Sequence, residues 1–169
     1  MKVNISDIVK TDGASLDINY NEVMDDLKTI AGNEFTFENP VRFEGKLVNI
    51  SGVMKLDGRL STEYSVKCYR CLKEVTGKLD IGIKESFVDV EKVEDKTDIE
   101  TYTYEGYYIE VDKVLIDNIV LNLPMKQVCE AECKGICPKC GIDLNSGECE
   151  CIEDEINPRM AVLKDFFKS

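Results

Sequence analysis

The spacing of eight cysteines is the feature that most constrains how this chain can fold. Two of them form a C-x-x-C pair in the middle of the chain, Cys68 and Cys71, and the other six lie together near the C-terminus, at Cys129, Cys133, Cys137, Cys140, Cys149 and Cys151. A C-x-x-C pair lets two thiolates bind one metal ion from a tight turn. Six thiols in so short a segment would be open to oxidation without a ligand. The sequence therefore predicts an architecture stabilised by zinc.

The chain contains no histidine, which restricts the kind of metal site it can build. It lacks the commonest general base, the base of Ser-His and Cys-His nucleophile pairs, and the histidine ligands of most zinc hydrolases. Bound zinc would then be held by four thiolates, with no coordination position left for a reacting water. We therefore expect one or two structural zinc ions and no enzymatic activity.

The grouping of the cysteines into sites stays open at this level. The segment from Cys137 to Gly141, CPKCG, is typical of a zinc knuckle, and Cys149 and Cys151 share one face of an extended strand. Three sets of four can form a single site: Cys137, Cys140, Cys149 and Cys151; Cys129, Cys133, Cys137 and Cys140; or Cys68, Cys71, Cys137 and Cys140. Eight thiols can also fill two sites. Two other interpretations of Cys68 and Cys71 are small buried residues and a redox C-x-x-C. The second is disfavoured because thioredoxin-like pairs lie in a βαβ setting.

The residue pattern predicts an α+β fold. From residue 41 to residue 90 apolar and polar residues alternate, which indicates an antiparallel meander, curled or barrel-like. We expect a turn at Asp57-Gly58, a helix over residues 21–30 and a helix over 112–123 capped by Asp112. Four glycines are expected at bulges or bends: Gly45, Gly52, Gly77 and Gly82. The tyrosine-rich segment 101–110 is read as a strand rather than a base-stacking surface.

Composition and length set the organisation. The chain has 169 residues, 43% of them hydrophobic, which is enough for one core. We assign residues 1–128 to an α+β core domain, and residues 129–169 to a cysteine-rich zinc-knuckle segment with a C-terminal helix packed on that core. The N-terminus has no apolar signal region and no segment is long enough to cross a membrane. The expectation is therefore a cytoplasmic protein, in a compartment where thiols stay reduced.

Charge is distributed unevenly along the chain. The net charge is -12, which argues against nucleic acid as a partner, but residues 41–90 alone carry a net charge of +2. If RNA contacts the protein directly, we expect it on this segment, with four candidate residues: Arg59, Lys67, Arg70 and Lys73. The alternative is that these side chains are solvated outward positions of strands.

The sequence contains SVKCYRCLKEV in its middle and LPMKQVCEAECKGICPKCGIDLNSGECEC, followed by NPRMAVLKDF, near its C-terminus. Together these two stretches resemble the YceD-like family, which is named for accumulation of large ribosomal subunit RNA. The first stretch resembles its C-x-R-C-L signature, on Cys68, Arg70, Cys71 and Leu72. The second resembles its C-terminal pattern on residues 133–141, on Leu144 and Asn145, and on Pro158, Arg159 and Leu163. Asn157 stands where the family usually has aspartate, and either residue can cap a helix.

The resemblance implies a non-enzymatic bacterial factor supporting synthesis, processing or stability of 23S rRNA and large-subunit assembly. Its partner would be 23S rRNA, a large-subunit assembly intermediate or ribosomal proteins, with no small-molecule substrate. Net acidity favours an adaptor that binds basic ribosomal proteins, whereas the family name favours RNA. A thiol-based redox or metal-handling protein is the alternative from a different class.

Overall fold

A large antiparallel sheet dominates the computed structural model, which describes residues 1–24, 27, 35–92 and 101–151. An α-helix, α1, spans Val111–Asn122, and a 3₁₀ helix spans Val90–Lys92. The strands are β1 Lys2–Asn4, β2 Ser15–Glu22, β3 Phe35–Thr36, β4 Val41–Ile50, β5 Val53–Lys67, β6 Glu74–Asp89, β7 Tyr102–Tyr104 and β8 Tyr108–Glu110.

The described strands form an open sheet in the order β2-β4-β5-β6-β7, with β3 paired to β5 off this path. Neighbours are antiparallel except β6 and β7, which run parallel over three residue pairs. Strands β1 and β8 form a separate two-stranded sheet. The antiparallel meander predicted for residues 41–90 is confirmed by β4, β5 and β6. The barrel-like closure is wrong for the described strands, because β2 and β7 end the sheet without pairing to each other.

The turn predicted at Asp57-Gly58 is also wrong, because β5 continues through it for 15 residues. Gly58 lies opposite Gly45 of β4. A Cβ at Gly45 would lie 2.5 Å from Cζ of Phe43, and one at Gly58 would lie 2.6 Å from the same atom. The glycine pair thus leaves room for a fully buried phenylalanine ring. The Asp57-Gly58 pair, which resembles a turn signal in the sequence, is thus explained by the packing of the Phe43 ring, which requires a glycine.

The main core lies between the inner face of the sheet and α1. Period-two alternation places the apolar residues of each long strand on one face, including Leu47, Met54, Leu60 and Ile83, all fully buried. Helix α1 packs against it with its own buried residues, Val111, Val114, Leu115, Ile116 and Ile119. The helix lies where the sequence places it, within one residue, but its N-cap is Glu110 rather than Asp112.

The predicted helix over residues 21–30 begins wrongly, because Asn21 and Glu22 pair with β4 as the end of β2. Leu27 is helical and buried, and residues 25, 26 and 28–30 lie outside the described ranges. The predicted C-terminal helix also lies outside them. Within the described ranges, no helix has the length and apolarity that a bilayer crossing requires.

Candidate metal centres

The first cysteine pair lies at the tip of the hairpin formed by β5 and β6. The hairpin pairing ends at Lys67 and Glu74, and the chain turns over residues 68–73. The backbone N–H of Leu72 donates to the carbonyl of Cys68 at 3.0 Å, and the N–H of Cys68 donates to the carbonyl of Lys73 at 2.7 Å. These bonds hold both thiols on the inside of one tight turn.

The second C-x-x-C pair repeats this hydrogen-bond pattern. The N–H of Gly141 donates to the carbonyl of Cys137, and the N–H of Cys137 donates to the carbonyl of Ile142, both at 2.9 Å. Residues Leu72 and Gly141 occupy equivalent positions, each with a left-handed backbone, at φ 62° and φ 74°. The two turns are therefore the same knuckle built twice.

The eight thiols gather into two groups of four. Within each group, all Sγ atoms lie within 4.8 Å of one another: Cys68, Cys71, Cys129 and Cys133 form cluster 1, and Cys137, Cys140, Cys149 and Cys151 form cluster 2. In cluster 1, Sγ of Cys68 lies 3.9 Å from Sγ of Cys133, and Sγ of Cys71 lies 3.6 Å from Sγ of Cys129. Sulfurs at the corners of a tetrahedron about 2.3 Å from a central zinc would be about 3.8 Å apart.

The clusters differ in their exposure to solvent. In cluster 1, Cys68, Cys71 and Cys133 are buried and Cys129 is exposed. In cluster 2, Cys137 is buried, Cys140 is exposed, and Cys149 and Cys151 are partly exposed. The sequence separation also differs, because cluster 1 joins the hairpin tip to a segment about sixty residues later, whereas cluster 2 is local.

Backbone N–H groups and neighbouring thiols act on the cysteine pKa values in opposite directions. The N–H of Cys71 lies 3.5 Å from Sγ of Cys68, and this bond lowers the pKa of Cys68 to about 6. The N–H of Cys140 lowers the pKa of Cys137 to about 6 in the same way. Hydrogen bonding to Cys133 raises the pKa of Cys129 to about 12, and hydrogen bonding to Cys140 raises that of Cys151 to about 12. Each cluster thus favours one thiolate, and full ionisation needs a cation to offset repulsion among the others.

The two knuckles are tied to each other as well as to the sheet. The Arg70 guanidinium donates from one nitrogen to the carbonyls of Ala131 and Cys133, at 3.1 and 2.8 Å. The Lys73 ammonium pairs with the Asp143 carboxylate at 2.8 Å. This ammonium, together with N–H groups of Asn145, holds the pKa of Asp143 well below its usual range. Residues 127–146 are therefore attached to the hairpin by polar contacts in addition to the sulfur atoms.

Three of the four RNA-contact candidates have partners inside the protein. Arg59 forms a two-nitrogen contact with the carboxylate of Asp80, at 2.6 and 2.9 Å, on the solvent face of the sheet. Arg70 and Lys73 bind as described above, and Lys67 is exposed at the end of β5. Three further lysines of the same face pair with acidic residues across strands: Lys46 with Asp17, Lys78 with Glu63 and Lys84 with Asp57. Much of the positive charge of residues 41–90 is thus paired with carboxylates of the protein itself.

One of the three cysteine sets left open by the sequence, Cys137, Cys140, Cys149 and Cys151, coincides with cluster 2. The set that joins Cys68 and Cys71 to Cys137 and Cys140 does not occur, nor does the set of Cys129, Cys133, Cys137 and Cys140. Cluster 1 was missed as a set, because nothing in the sequence says that residues 129–133 lie against the hairpin. Elimination was the available signal: once the local set is taken, the remaining four cysteines are those of cluster 1.

The family model described as "Large ribosomal RNA subunit accumulation protein YceD" matches residues 56–167, a span that includes both clusters. The chain belongs to the YceD family. This confirms the resemblance carried by the C-x-R-C-L motif and by the C-terminal cysteine pattern.

The YceD relatives come from bacteria and a plant. An uncharacterized protein of Mycobacterium tuberculosis (strain ATCC 25618 / H37Rv) is 29% identical over 120 residues, which cover 70% of this chain and 58% of that protein. The uncharacterized protein YlbN of Bacillus subtilis is 29% identical over 149 residues, 83% of this chain and 86% of its own length. A chloroplastic large ribosomal RNA subunit accumulation protein YCED homolog 1 of Arabidopsis thaliana is 26% identical over 145 residues, 69% of this chain and 45% of that protein. No solved structure matches.

Proposed function

We propose that this chain is a non-enzymatic cytoplasmic factor that supports the accumulation of 23S rRNA and the assembly of the large ribosomal subunit. The observation that carries the proposal is the YceD match, which runs through the hairpin and both cysteine clusters. The match begins within β5, so it includes most of the β5–β6 hairpin together with the knuckles and does not include β4. The alignment with the Mycobacterium tuberculosis relative covers 58% of that protein's length.

The same proposal assigns one structural zinc ion to each cysteine cluster. The support is the donor set, which is sulfur at all four positions in each cluster, and the sulfur spacing of 3.6 and 3.9 Å in cluster 1. Zinc held by four thiolates has no open position for water or substrate, so its contribution is to folding. The chain's own residues supply the rest: two knuckles orient the thiols, and their N–H groups stabilise thiolate charge.

The zinc ions would compensate for the small size of the hydrophobic cluster around the first knuckle. Cys68, Cys71 and Cys133 form a small buried cluster, separate from the main core, and among the described residues Val75, Val128 and Ile136 pack against it. Six side chains of this size bury too little apolar surface to order some twenty residues, each of which loses about 1–2 kcal/mol of backbone entropy. Metal binding supplies the missing free energy. The knuckles then act as a fixed extension of the hairpin.

Chelation is expected to release the two ions in two phases. The ion of cluster 2 should leave first, because three of its four sulfurs are at least partly exposed. The measurement is the time course of zinc transfer to a chromogenic chelator. The variant Cys140→Ser should abolish the fast phase, and Cys71→Ser, its equivalent in the first knuckle, should abolish the slow phase. A single phase with wild-type protein would contradict the difference between the sites.

An adaptor for basic ribosomal proteins is the second candidate, and charge favours it. The chain carries a net charge of -12, and the basic residues of the sheet face are mostly paired with carboxylates. A redox role is disfavoured by the grouping of all eight thiols in fours. Crosslinking in cells distinguishes these candidates, because RNA sequencing identifies direct 23S contacts and mass spectrometry identifies protein partners. Zinc-loaded protein with no titratable thiol would exclude the redox role.

Depletion of the protein in its own host tests the proposed function. We expect the ratio of mature 23S to 16S rRNA to fall, with precursors or fragments of 23S accumulating. Re-expression of the wild-type chain should restore the ratio, whereas a chain with Cys71→Ser and Cys140→Ser should not. An unchanged ratio after depletion would refute the proposal.

A further inference from the structure

An exposed leucine stands at a strained position of the first knuckle. Leu72 has φ 62°, a left-handed backbone that costs a residue with a Cβ about 1–2 kcal/mol. The equivalent residue of the second knuckle is Gly141, which adopts φ 74° without that cost. The Leu72 side chain is 58% exposed, so burial within the chain does not offset the strain. A contact outside the chain would account for a leucine here.

A tyrosine beside it presents its ring to solvent on a rigid support. Tyr69 is 67% exposed and lies between the two cysteines of the first knuckle. Its backbone N–H donates to the carbonyl of Gln127 at 2.8 Å, so the Tyr69 backbone is held both by its own knuckle and by the segment that follows α1. The ammonium of Lys126 lies 5.2 Å from the centre of the ring. This is an aromatic platform with a cation already in place.

Tyr69 and Leu72 line one groove of ≈ 400 Å³ with Val66 at its floor. Lys67 and Glu74 flank the groove where the hairpin pairing ends. We call Lys67, Tyr69, Leu72 and Lys126 the knuckle platform. Lys67 and Lys126 are both exposed, and neither forms an ion pair with a residue in the described part of the chain.

The charge around the knuckle platform is opposite to that of the molecule. Among the described residues that line the groove, Lys67 is the basic one and Glu74 the acidic one, and Lys126 over the Tyr69 ring and Arg70 next in sequence add two further positive charges, in a chain whose net charge is -12. A phosphodiester is the complementary group, and a basic peptide is not. Unpaired bases stack on exposed aromatic rings, and each nucleotide supplies both the base for the ring and the phosphate for the lysines.

We propose that the knuckle platform binds an unpaired nucleotide of RNA. The base stacks on Tyr69 and packs against Leu72, and Lys67 and Lys126 contact its flanking phosphates. The proposal rests on the function proposed above, and it names the surface through which direct RNA contact would occur. It also explains how an acidic protein can bind RNA, since one or two nucleotides need only a small positive area.

Fluorescence anisotropy of a labelled uridine octamer with the full zinc-loaded chain tests the proposal. Tyr69→Ala should weaken binding about 5- to 150-fold, the loss that corresponds to about 1–3 kcal/mol per stacked base. Tyr69→Phe should keep most of the affinity. Tyr107→Ala is the matched control, because Tyr107 is also exposed and has a lysine, Lys10, 6.0 Å from its ring centre. It should bind as the wild type does.

Two further variants separate binding from folding. Leu72→Gly should weaken binding of the octamer. The thermal midpoint and the zinc content should not fall, because glycine relieves the strain of the left-handed backbone. Lys126→Gln should reduce the slope of log K against log salt by about 0.7, the contribution of one phosphate in a single strand. Equal binding by wild type, Tyr69→Ala and Leu72→Gly would overturn the proposal.

The remaining outcomes distinguish failure of the knuckle platform from failure of the proposed function. Failure of the wild type to bind the octamer, together with loss of a ribosomal protein partner in Tyr69→Ala, would replace RNA by protein as the occupant and overturn the inference. An unchanged 23S to 16S ratio after depletion would refute the proposed function whatever the octamer does. A fallen ratio that Tyr69→Ala restores fully would refute the knuckle platform alone.

Discussion

Replacing Cys133 with serine is expected to release one zinc ion and to lower the free energy of unfolding by on the order of 4 kcal/mol, a size typical of losing a structural metal. Cys133 is 2% exposed, its Sγ lies 3.9 Å from that of Cys68, and the Asn145 side chain donates to it at 3.4 Å. Serine leaves three thiols without a cation, two of them buried, and detaches residues 127–135 from the hairpin tip. Native mass spectrometry and chemical denaturation measure the two effects.

The matched variant in the other cluster is Cys140→Ser. It should also lose one ion, but with a smaller fall in stability, because Cys140 is exposed and cluster 2 closes only a local loop. Arg70→Met is a control that keeps all eight thiols and removes the contacts to the Ala131 and Cys133 carbonyls. It should retain both ions. Retention of two ions by Cys133→Ser would contradict the assignment of zinc to cluster 1.

Replacing Gly58 with alanine is expected to destabilise the sheet by about 1–3 kcal/mol, the usual cost of overpacking. A Cβ there would lie 2.6 Å from the carbonyl oxygen of Glu44 and 2.6 Å from the ring of Phe43. Neither atom can withdraw easily, since one belongs to the backbone of β4 and the other to a fully buried ring. Thermal unfolding monitored by circular dichroism measures the effect.

Gly82 provides the control, because it lies in the neighbouring strand β6, opposite Arg59. A Cβ at Gly82 would meet no atom within 4 Å. Gly82→Ala should be neutral or stabilise the protein by up to about 1 kcal/mol, through loss of backbone freedom in the unfolded chain. If both alanine variants unfold at the same temperature, the packing role of the Gly45–Gly58 pair is wrong.

The meander was predictable because its alternation is a local property of each strand. Val41, Phe43 and Leu47 point inward at every second or fourth position, and the observed strands follow them. The Asp57-Gly58 turn was predicted wrongly because a dipeptide does not reveal what faces it across the sheet. The ring of Phe43, fifteen residues before Gly58 in the chain, is what requires a glycine at that position.

The candidate sites show the same division between local and distant information. The knuckle of Cys137 and Cys140 can be recognised from the sequence by its proline and glycine, and cluster 2 was among the sets that the sequence left open. Cluster 1 depends on where the chain goes after α1, which no local pattern encodes. Arg70 was considered as an RNA contact because of its charge, yet one of its nitrogens is occupied by two backbone carbonyls.

The separation between the halves of cluster 1 has a consequence for synthesis of the protein. Cys129 follows Cys71 by 58 residues, and Cys133 follows Cys68 by 65. At elongation rates of about 5–20 residues per second, the first two sulfurs leave the exit tunnel roughly 3–13 s before their partners. The later cluster needs only its own short loop and can close as soon as it emerges. During translation, the hairpin tip therefore carries only two of the four thiols of cluster 1 until the later segment has been made.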